Sequence, residues 1–266
     1  MIEPVGPVIV GVDGSPTSLA ALDLAADEAM GRVAPLVVLH AVGPDETLVE
    51  ASRLAAVAVS RATAEHPGLS VDYELVTGDP GPVLVTRSRG ACLLVMGHRR
   101  YRGFGEQPVE SAAALVVSGA EVPLIVHRPL DTSADVPLPR PVLVAVAEVA
   151  GSEPQVEFAF AEAALRGAPL IAMHVWSVPR DRGREDAERI LTEALDRWSE
   201  KYPEVTVYLA VRHSLDVPVA LSAASRSAQL AVVGARRRPG LAAPAMGSVA
   251  QAMVRRAGCP VAVIPG

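Results

Sequence analysis

The strongest constraint on the fold of this 266-residue chain is an internal repeat. VMGHRRYRGFGEQPVES in the first half and VVGARRRPGLAAPAMGS in the second are both apolar runs that end in glycine, turn basic, and become helical in pattern after a serine. Gly97 and Gly234 lie 137 residues apart, and Pro123 and Pro260, which open the last apolar run of each half, have the same offset. A repeat of this length predicts two domains of one fold.

Short apolar runs alternate with longer amphipathic patterns in each half, which predicts βαβ units and a parallel sheet. We predict strands near Val8–Asp13, Leu36–Val42, Ser70–Val76, Cys92–Gly97, Pro123–His127, Pro141–Ala147, Leu170–Trp176, Val205–Val211, Leu230–Gly234 and Pro260–Ile264. Helices are predicted to begin near Pro16, Glu46, Gly81, Pro108, Pro154, Gly183, Val217 and Ser248. The predicted fold class is therefore α/β, with two similar doubly wound parallel sheets.

The proline-rich polar stretch at residues 129–140 predicts a linker between domains 1–128 and 141–266. Ser15 before Pro16 is a predicted N-cap, and Ser152 and Ser248 each have a glutamine three residues later, the spacing of a capping box. We predict no helix directly after the last strand of either half. We expect these strands to pair with each other as an intrachain pseudo-dimer, or with another protomer as a homodimer.

Composition and charge exclude several classes of protein. The net charge is −6, which argues against a general nucleic-acid or acidic-membrane binder. The first residues lack the pattern of a signal peptide, and no apolar stretch approaches the length that spans a bilayer, so we expect a cytoplasmic protein.

Cys92 and Cys259 lie in apolar strand-like runs and are expected to be buried, reduced thiols.

Ligands of doubly wound sheets collect at the carboxyl ends of the strands, where the strand order reverses. Asp13 and the Gly97 loop occupy such places, and Gly247-Ser248 precedes a predicted helix whose N-terminal amides could face an anion. Two interpretations stay open, ligand binding and a purely local structural role. Asp13 also suits an Asx-turn, and Gly247-Ser248 also suits an ordinary helix start. No nucleophile, base and orienting group are assembled, so we expect no catalytic and no metal-binding residue.

The lone histidines His40 and His174 recur at the end of the second strand of each half, where a packed structural role is expected. Together with the opening V-I-V-G-V-D-G-S, the V-x-G-x-R loop and the closing C-P-V-x-V-I, they make the chain resemble a tandem member of the universal stress protein family. The resemblance implies five parallel strands in the order 3-2-1-4-5. In many members it also implies ATP held by G-x-x-G-x9-G-[ST], with an aspartate at the end of the first strand on the adenine side.

By position, the resemblance implies a set of nucleotide-binding residues. These are Val12, Asp13, Ala41, Gly97, Arg99, Arg100 and Ser111 in the first half, and Val146, Val175, Gly234, Arg236, Arg237, Gly247, Ser248 and Val249 in the second. Both halves depart from the motif: Arg100 and Glu110 replace two glycines in the first. The second keeps Gly247 and Ser248 but has Ala147 in place of the aspartate, with Glu148 after it.

Two functions remain open at this point. One is a regulatory or binding module that holds ATP or another adenine nucleotide, with the second half as the better candidate. The other is an interaction scaffold in which both sites have decayed.

Overall fold

The computed structural model describes residues 6–98, 112–133, 136, 138–177, 183–235 and 247–266. The chain divides into two compact units between Arg128 and Pro129. In the second unit the backbone N–H of Asp131 donates to the carbonyl of Gly258 over 2.6 Å, and Arg140 Nη1 donates to the carbonyl of Asp131 over 2.7 Å. This part of the proline-rich stretch is therefore packed on the second unit.

Strands and helices alternate in the first unit. Its elements are β1 (Val8–Gly11), α1 (Pro16–Arg32), β2 (Leu36–Val42), α2 (Leu48–Glu65), β3 (Val71–Thr77), α3 (Pro80–Arg87), β4 (Leu93–Gly97), α4 (Ala112–Gly119) and β5 (Leu124–His127). The strands are parallel and lie in the order β3-β2-β1-β4-β5. The order reverses at β1, which pairs with β2 on one side and β4 on the other.

The second unit repeats this arrangement. Its elements are β6 (Val142–Ala145), α5 (Glu153–Leu165), β7 (Leu170–Trp176), α6 (Gly183–Lys201), β8 (Val207–His213), α7 (Val217–Ala224), a 3-10 turn (Ser225–Ser227), β9 (Leu230–Ala235), α8 (Ser248–Arg256) and β10 (Val261–Pro265). The parallel order is β10-β9-β6-β7-β8, and it reverses at β6. The α/β class predicted from the alternating pattern is confirmed.

The central strands form the core of each unit because helices cover both faces of the sheet. Val10 and Val95 on β1 and β4, and Val144 and Val232 on β6 and β9, have no exposed surface. The outer strands β3 and β8 are far more exposed, which follows from their position at the end of each unit's strand order.

Several predicted boundaries are wrong, and the local contacts give the reasons. α2 begins at Leu48 instead of Glu46, because Thr47 caps the helix and forms a complete capping box with Glu50. β1 ends at Gly11 and β6 at Ala145, each two residues before the predicted end. The helix start near Pro108 lies outside the described residues.

Predicted helix caps have mixed outcomes. The Ser15 cap of α1 is confirmed, since its side chain accepts from the N–H of Ser18. The Ser152 capping box is wrong: Ser152 has α-helical dihedrals and its hydroxyl donates to the carbonyl of Val149 over 2.7 Å. The Ser248 cap is also wrong, because Gly247 is the N-cap of α8 and Ser248 is already the first helical residue.

A buried carboxylate recurs in the first helix of each unit. Glu28 in α1 is 1% exposed and forms an ion pair with Arg32, while Glu162 in α5 is fully buried and accepts from Arg166 Nε and Nη2 at 3.0 and 2.9 Å. A buried carboxylate is stable only when such partners satisfy it. This repeated pair supports the duplication, although sequence reasoning did not single it out.

Both cysteines are free thiols. Cys259 is buried as expected, but Cys92 directly precedes β4 and is only half-buried. Burial is still enough to raise the pKa of the Cys92 thiol above its ordinary value, with the nearby Arg32 guanidinium opposing that effect.

Candidate functional site

Each unit has a histidine that fixes the end of its first strand. His174 Nδ1 lies 2.9 Å from the carbonyl oxygen of Val146, and His40 Nδ1 lies 2.8 Å from that of Val12. A carbonyl can only accept, so Nδ1 is the protonated nitrogen in these bonds. The histidines therefore hold the strand ends where a ligand would lie, which agrees with the structural role predicted for them.

A cavity of about 620 Å³ lies at the carboxyl ends of the strands in the second unit. The ends of β6, β7, β9 and β10 form its floor, and the first turns of α5, α7 and α8 form its walls. The predicted site residues that line it are Val146, Val175, Gly234, Gly247, Ser248 and Val249. This volume lies within the range of small-molecule sites.

The lining that β7 and α7 contribute to this cavity is apolar. Met173 and Val175 come from β7, and Val217 and Leu221 come from α7. Sequence reasoning missed Met173, Val217 and Leu221. The apolar start of α7 was visible in the sequence, but nothing indicated that this helix would face the site.

The start of α8 contributes another part of the cavity lining. Gly247 has extended dihedrals, with φ −60° and ψ 145°, and no side chain among the described residues caps the helix. The first intrahelical bond runs from the N–H of Gln251 to the carbonyl of Gly247 over 3.1 Å. The amides of Ser248, Val249 and Ala250 precede that bond, and all three residues line the cavity. Free amides at a helix N-terminus favour an anion.

Gln155 connects the floor of the cavity to its wall. Its Nε2 donates to the carbonyl of Ala145 over 2.8 Å, and its Oε1 lies beside the α-carbon of Gly234. A β-carbon at Gly234 would overlap Oε1, so any side chain at this position has to displace the end of Gln155. Sequence reasoning considered Gln155 only as part of a capping box and did not place it in the site.

The charged residues predicted for this site are only partly described. Glu148 lines the cavity and is exposed, as is Ala147 at the place of the family's aspartate. Arg236 and Arg237 lie outside the described residues. Over the described part of the chain, no group of three or more His, Cys, Asp or Glu side chains is placed to hold a metal ion.

In the first unit, Asp13 is engaged in its own turn. Its Oδ1 accepts from the N–H and the hydroxyl of Ser15 at 3.0 and 2.5 Å, while its N–H donates to Ser18 Oγ over 3.2 Å. This is the Asx-turn geometry that was one of the two interpretations from sequence. Leu54 from α2 lies against Gly14, the residue after Asp13, although both Asp13 and Gly14 remain exposed.

Gly97 ends β4 beside the first turn of α1. A β-carbon there would lie 2.6 Å from the carbonyl oxygen of Thr17 and 2.9 Å from the nitrogen of Ser18. Ala41 is half-buried near the end of β2, paired in register with Val76 of β3. Three further predicted residues of the first half lie outside the described residues: Arg99, Arg100 and Ser111.

The fold and the strand-end cavity define a tandem doubly wound α/β protein with a ligand-sized crevice in its second unit. The sequence profile of the Universal stress protein family matches this chain twice, over residues 5–128 and 139–265. The chain belongs to the universal stress protein family.

Relatives in mycobacteria match over nearly the whole length. Universal stress protein Rv2005c of Mycobacterium tuberculosis is 34% identical, and the match covers 96% of each chain. A universal stress protein of Mycolicibacterium smegmatis is 30% identical, covering 97% of this chain and 96% of its own.

The fold also occurs in a solved universal stress protein from Archaeoglobus fulgidus. That structure is 18% identical, covers 97% of this chain and 98% of its own, and has a TM-score of 0.69. Throughout the described residues, the helices are all too short or too polar to cross a membrane.

Proposed function

We propose that this chain is a stress-associated regulatory or binding module whose second unit binds an adenine nucleotide, with ATP as the reference ligand. The cavity at the carboxyl ends of β6, β7 and β9 is the observation that carries the proposal. It lies where the strand order reverses, which is where doubly wound sheets bind nucleotides.

Two parts of the cavity lining suit the two parts of a nucleotide. The apolar side chains of Val175, Val217 and Leu221 offer an adenine ring a surface to pack on. The amides of Ser248, Val249 and Ala250 at the start of α8 are offered to phosphate oxygens. Gly247 adds no side chain at this helix start. Arg236 and Arg237 follow β9 directly in the sequence and carry positive charge.

The first unit is the weaker candidate. The Asp13 carboxylate already accepts two hydrogen bonds from Ser15, and Leu54 lies against the adjoining Gly14. These contacts favour the scaffold function for the first unit. The scaffold function would apply to the whole chain if the second unit also bound no nucleotide.

Gly247 is the position that tests the second-unit site. With φ at −60° it accepts other residues without backbone strain, so substitutions there probe the site directly. Gly247→Glu places a carboxylate at the start of α8, where it competes with phosphate for the amides and repels it. Gly247→Ala is the matched control, since it adds a β-carbon without charge.

Titration calorimetry with ATP, ADP and AMP is the measurement. We expect Gly247→Glu to weaken ATP binding at least tenfold and Gly247→Ala to weaken it less than threefold. The same samples with ATP and Mg²⁺ should release no phosphate above background, since we expect binding without turnover. Equal affinity of the unsubstituted protein and the glutamate variant, or no binding by either, would overturn the second-unit site and favour the scaffold.

A further inference from the structure

The outer strand β8 of the second unit presents an unusual edge. Its sequence, VYLAVRH, contains no acid, proline or glycine, and among the described strands it pairs only with β7. Tyr208 is 58% exposed and Leu209 is 49% exposed. An exposed edge strand of this composition is a template for pairing with another strand.

The hydrogen bonds to β7 show which amides of β8 face outward. Thr206 accepts from the N–H of Leu170 over 2.9 Å, and the N–H of Ser214 donates to Trp176 over 3.0 Å. In a parallel ladder, alternate residues face the neighbour. The even-numbered residues of β8 therefore bond to β7, and the main-chain groups of Val207, Leu209, Val211 and His213 face outward.

The equivalent strand β3 of the first unit is protected by its own side chains. Tyr73 occupies the place of Leu209, and its outward N–H donates to Asp72 Oδ1 over 2.7 Å. Glu74 occupies the place of Ala210. A carboxylate that caps an outward amide and a second one at the middle of the strand both oppose strand addition. β8 has Tyr208 and Ala210 at these two places.

We propose that β8 is a homodimer interface, in which two copies of this chain pair their β8 strands antiparallel about a two-fold axis at Ala210. This register satisfies the outward amides, because Leu209 then lies opposite the partner's Val211 and Val207 opposite the partner's His213. The two alanines meet at the axis as a close, non-hydrogen-bonded pair. Their small side chains allow the close approach that such a pair requires.

The side-chain pairs of this register are complementary. Tyr208 lies opposite the partner's Arg212, where a guanidinium can pack on the phenol ring, and Leu209 lies opposite the partner's Val211. No two charged side chains of β8 face each other. The same register in β3 would place Glu74 opposite a second Glu74 and is repelled. The second copy is therefore expected to pair with β8 and not with β3. This proposed interface does not depend on nucleotide binding.

The first experiment compares matched lysine variants at the two edges. Leu209→Lys and Tyr73→Lys change equivalent outward residues with nearly equal exposure, 49% and 48%. Sedimentation velocity over a series of protein concentrations should show a dimer for the unsubstituted protein and for Tyr73→Lys. We expect Leu209→Lys to raise the dimer dissociation constant at least tenfold, with its thermal unfolding midpoint unchanged at concentrations low enough for both proteins to be monomeric. A protein that stays monomeric at all concentrations, or a dimer unaffected by Leu209→Lys, overturns the proposal.

The second experiment tests the register. In a Cys92→Ser background, Ala210→Cys places two thiols at the axis, with α-carbons about 4.5 Å apart, within the range of a disulfide. Oxidation by diamide should then give a covalent dimer on a non-reducing gel. Val207→Cys and Glu74→Cys are the controls and should stay monomeric on the gel. The register is overturned if all three variants cross-link to the same extent, or if none of them cross-links.

Discussion

The side chain of Gln155 occupies the space in which a β-carbon at Gly234 would lie, and its Nε2 is held by the carbonyl of Ala145 over 2.8 Å. At the equivalent glycine of the first unit, Gly97, the main chain of α1 at Thr17 and Ser18 occupies that space. The two glycines that reveal the repeat in the sequence therefore contact different kinds of neighbour.

This difference predicts unequal costs for the two alanine substitutions. Gly97→Ala forces a β-carbon against the main chain of a packed helix and should lower the free energy of unfolding by about 1–3 kcal/mol. Gly234→Ala only displaces the end of Gln155, so it should cost about 1 kcal/mol for the lost hydrogen bond to Ala145. Urea denaturation of both variants gives the comparison.

A double variant provides the control. Once Gln155→Ala has removed the obstructing side chain, adding Gly234→Ala should have almost no further effect on stability. If Gly97→Ala and Gly234→Ala lowered the free energy of unfolding equally, the kind of neighbour that each β-carbon meets, helix main chain or side chain, would not decide the cost.

Much of the fold followed from the sequence because hydrophobic period and strand length are local signals. The limits of β2 and β7 agree with those predicted, and α1, α6, α7 and α8 begin at the predicted residues. Helix caps were less predictable, because a serine or threonine at the right spacing can bond elsewhere. Thr47 forms a capping box that the sequence analysis did not identify, whereas Ser152 bonds to Val149 instead.

The site was predictable only in outline. The motif of the family resemblance grouped Gly234 with Gly247, and both glycines line the cavity because each lies at the end of a strand or the start of a helix. Gln155 and Leu221 could not be assigned to it, since their roles depend on rotamers and on the packing of α5 and α7. Asp13 was left with two interpretations, and only its hydrogen bonds with Ser15 and Ser18 show the turn.

His174 should be required both for stability and for the shape of the cavity. His174→Phe keeps the ring volume but leaves the buried carbonyl of Val146 without its donor, which should cost about 1–3 kcal/mol. His174→Asn returns an N–H close to the position of Nδ1 and should recover part of this loss. Chemical denaturation measures the cost, and equal destabilisation by both variants would argue against the hydrogen bond as its cause.

Thr47 should stabilise the start of α2 through the capping box. Its hydroxyl accepts from the N–H of Glu50, and the Glu50 carboxylate accepts from both the hydroxyl and the N–H of Thr47. Thr47→Ala should cost about 1 kcal/mol at neutral pH in thermal or urea unfolding.

The same contacts lower the pKa of Glu50, mainly through the hydroxyl of Thr47. A carboxyl group whose pKa is lowered by folding stabilises the fold at pH values above its pKa in the unfolded chain. That contribution is lost as the pH falls through its pKa in the folded chain. The difference between Thr47→Ala and the unsubstituted protein should therefore shrink on acidification below about pH 4. A difference that stays constant with pH would assign the effect to the Thr47 hydroxyl alone.

His127 should make the chain less stable in mild acid. It ends β5, and its Nδ1 is buried with no hydrogen-bond partner among the described residues. Burial lowers the pKa of the ring, while Asp23 on α1 opposes this only in part. Below about pH 6.5 the His127 ring therefore binds a proton more readily in the unfolded chain than in the folded one. The free energy of unfolding is unaffected above that pH and decreases below it. Urea unfolding between pH 7.5 and 5.5 should show a smaller loss for His127→Gln than for the unsubstituted protein. Parallel curves would mean that other groups cause the acid sensitivity.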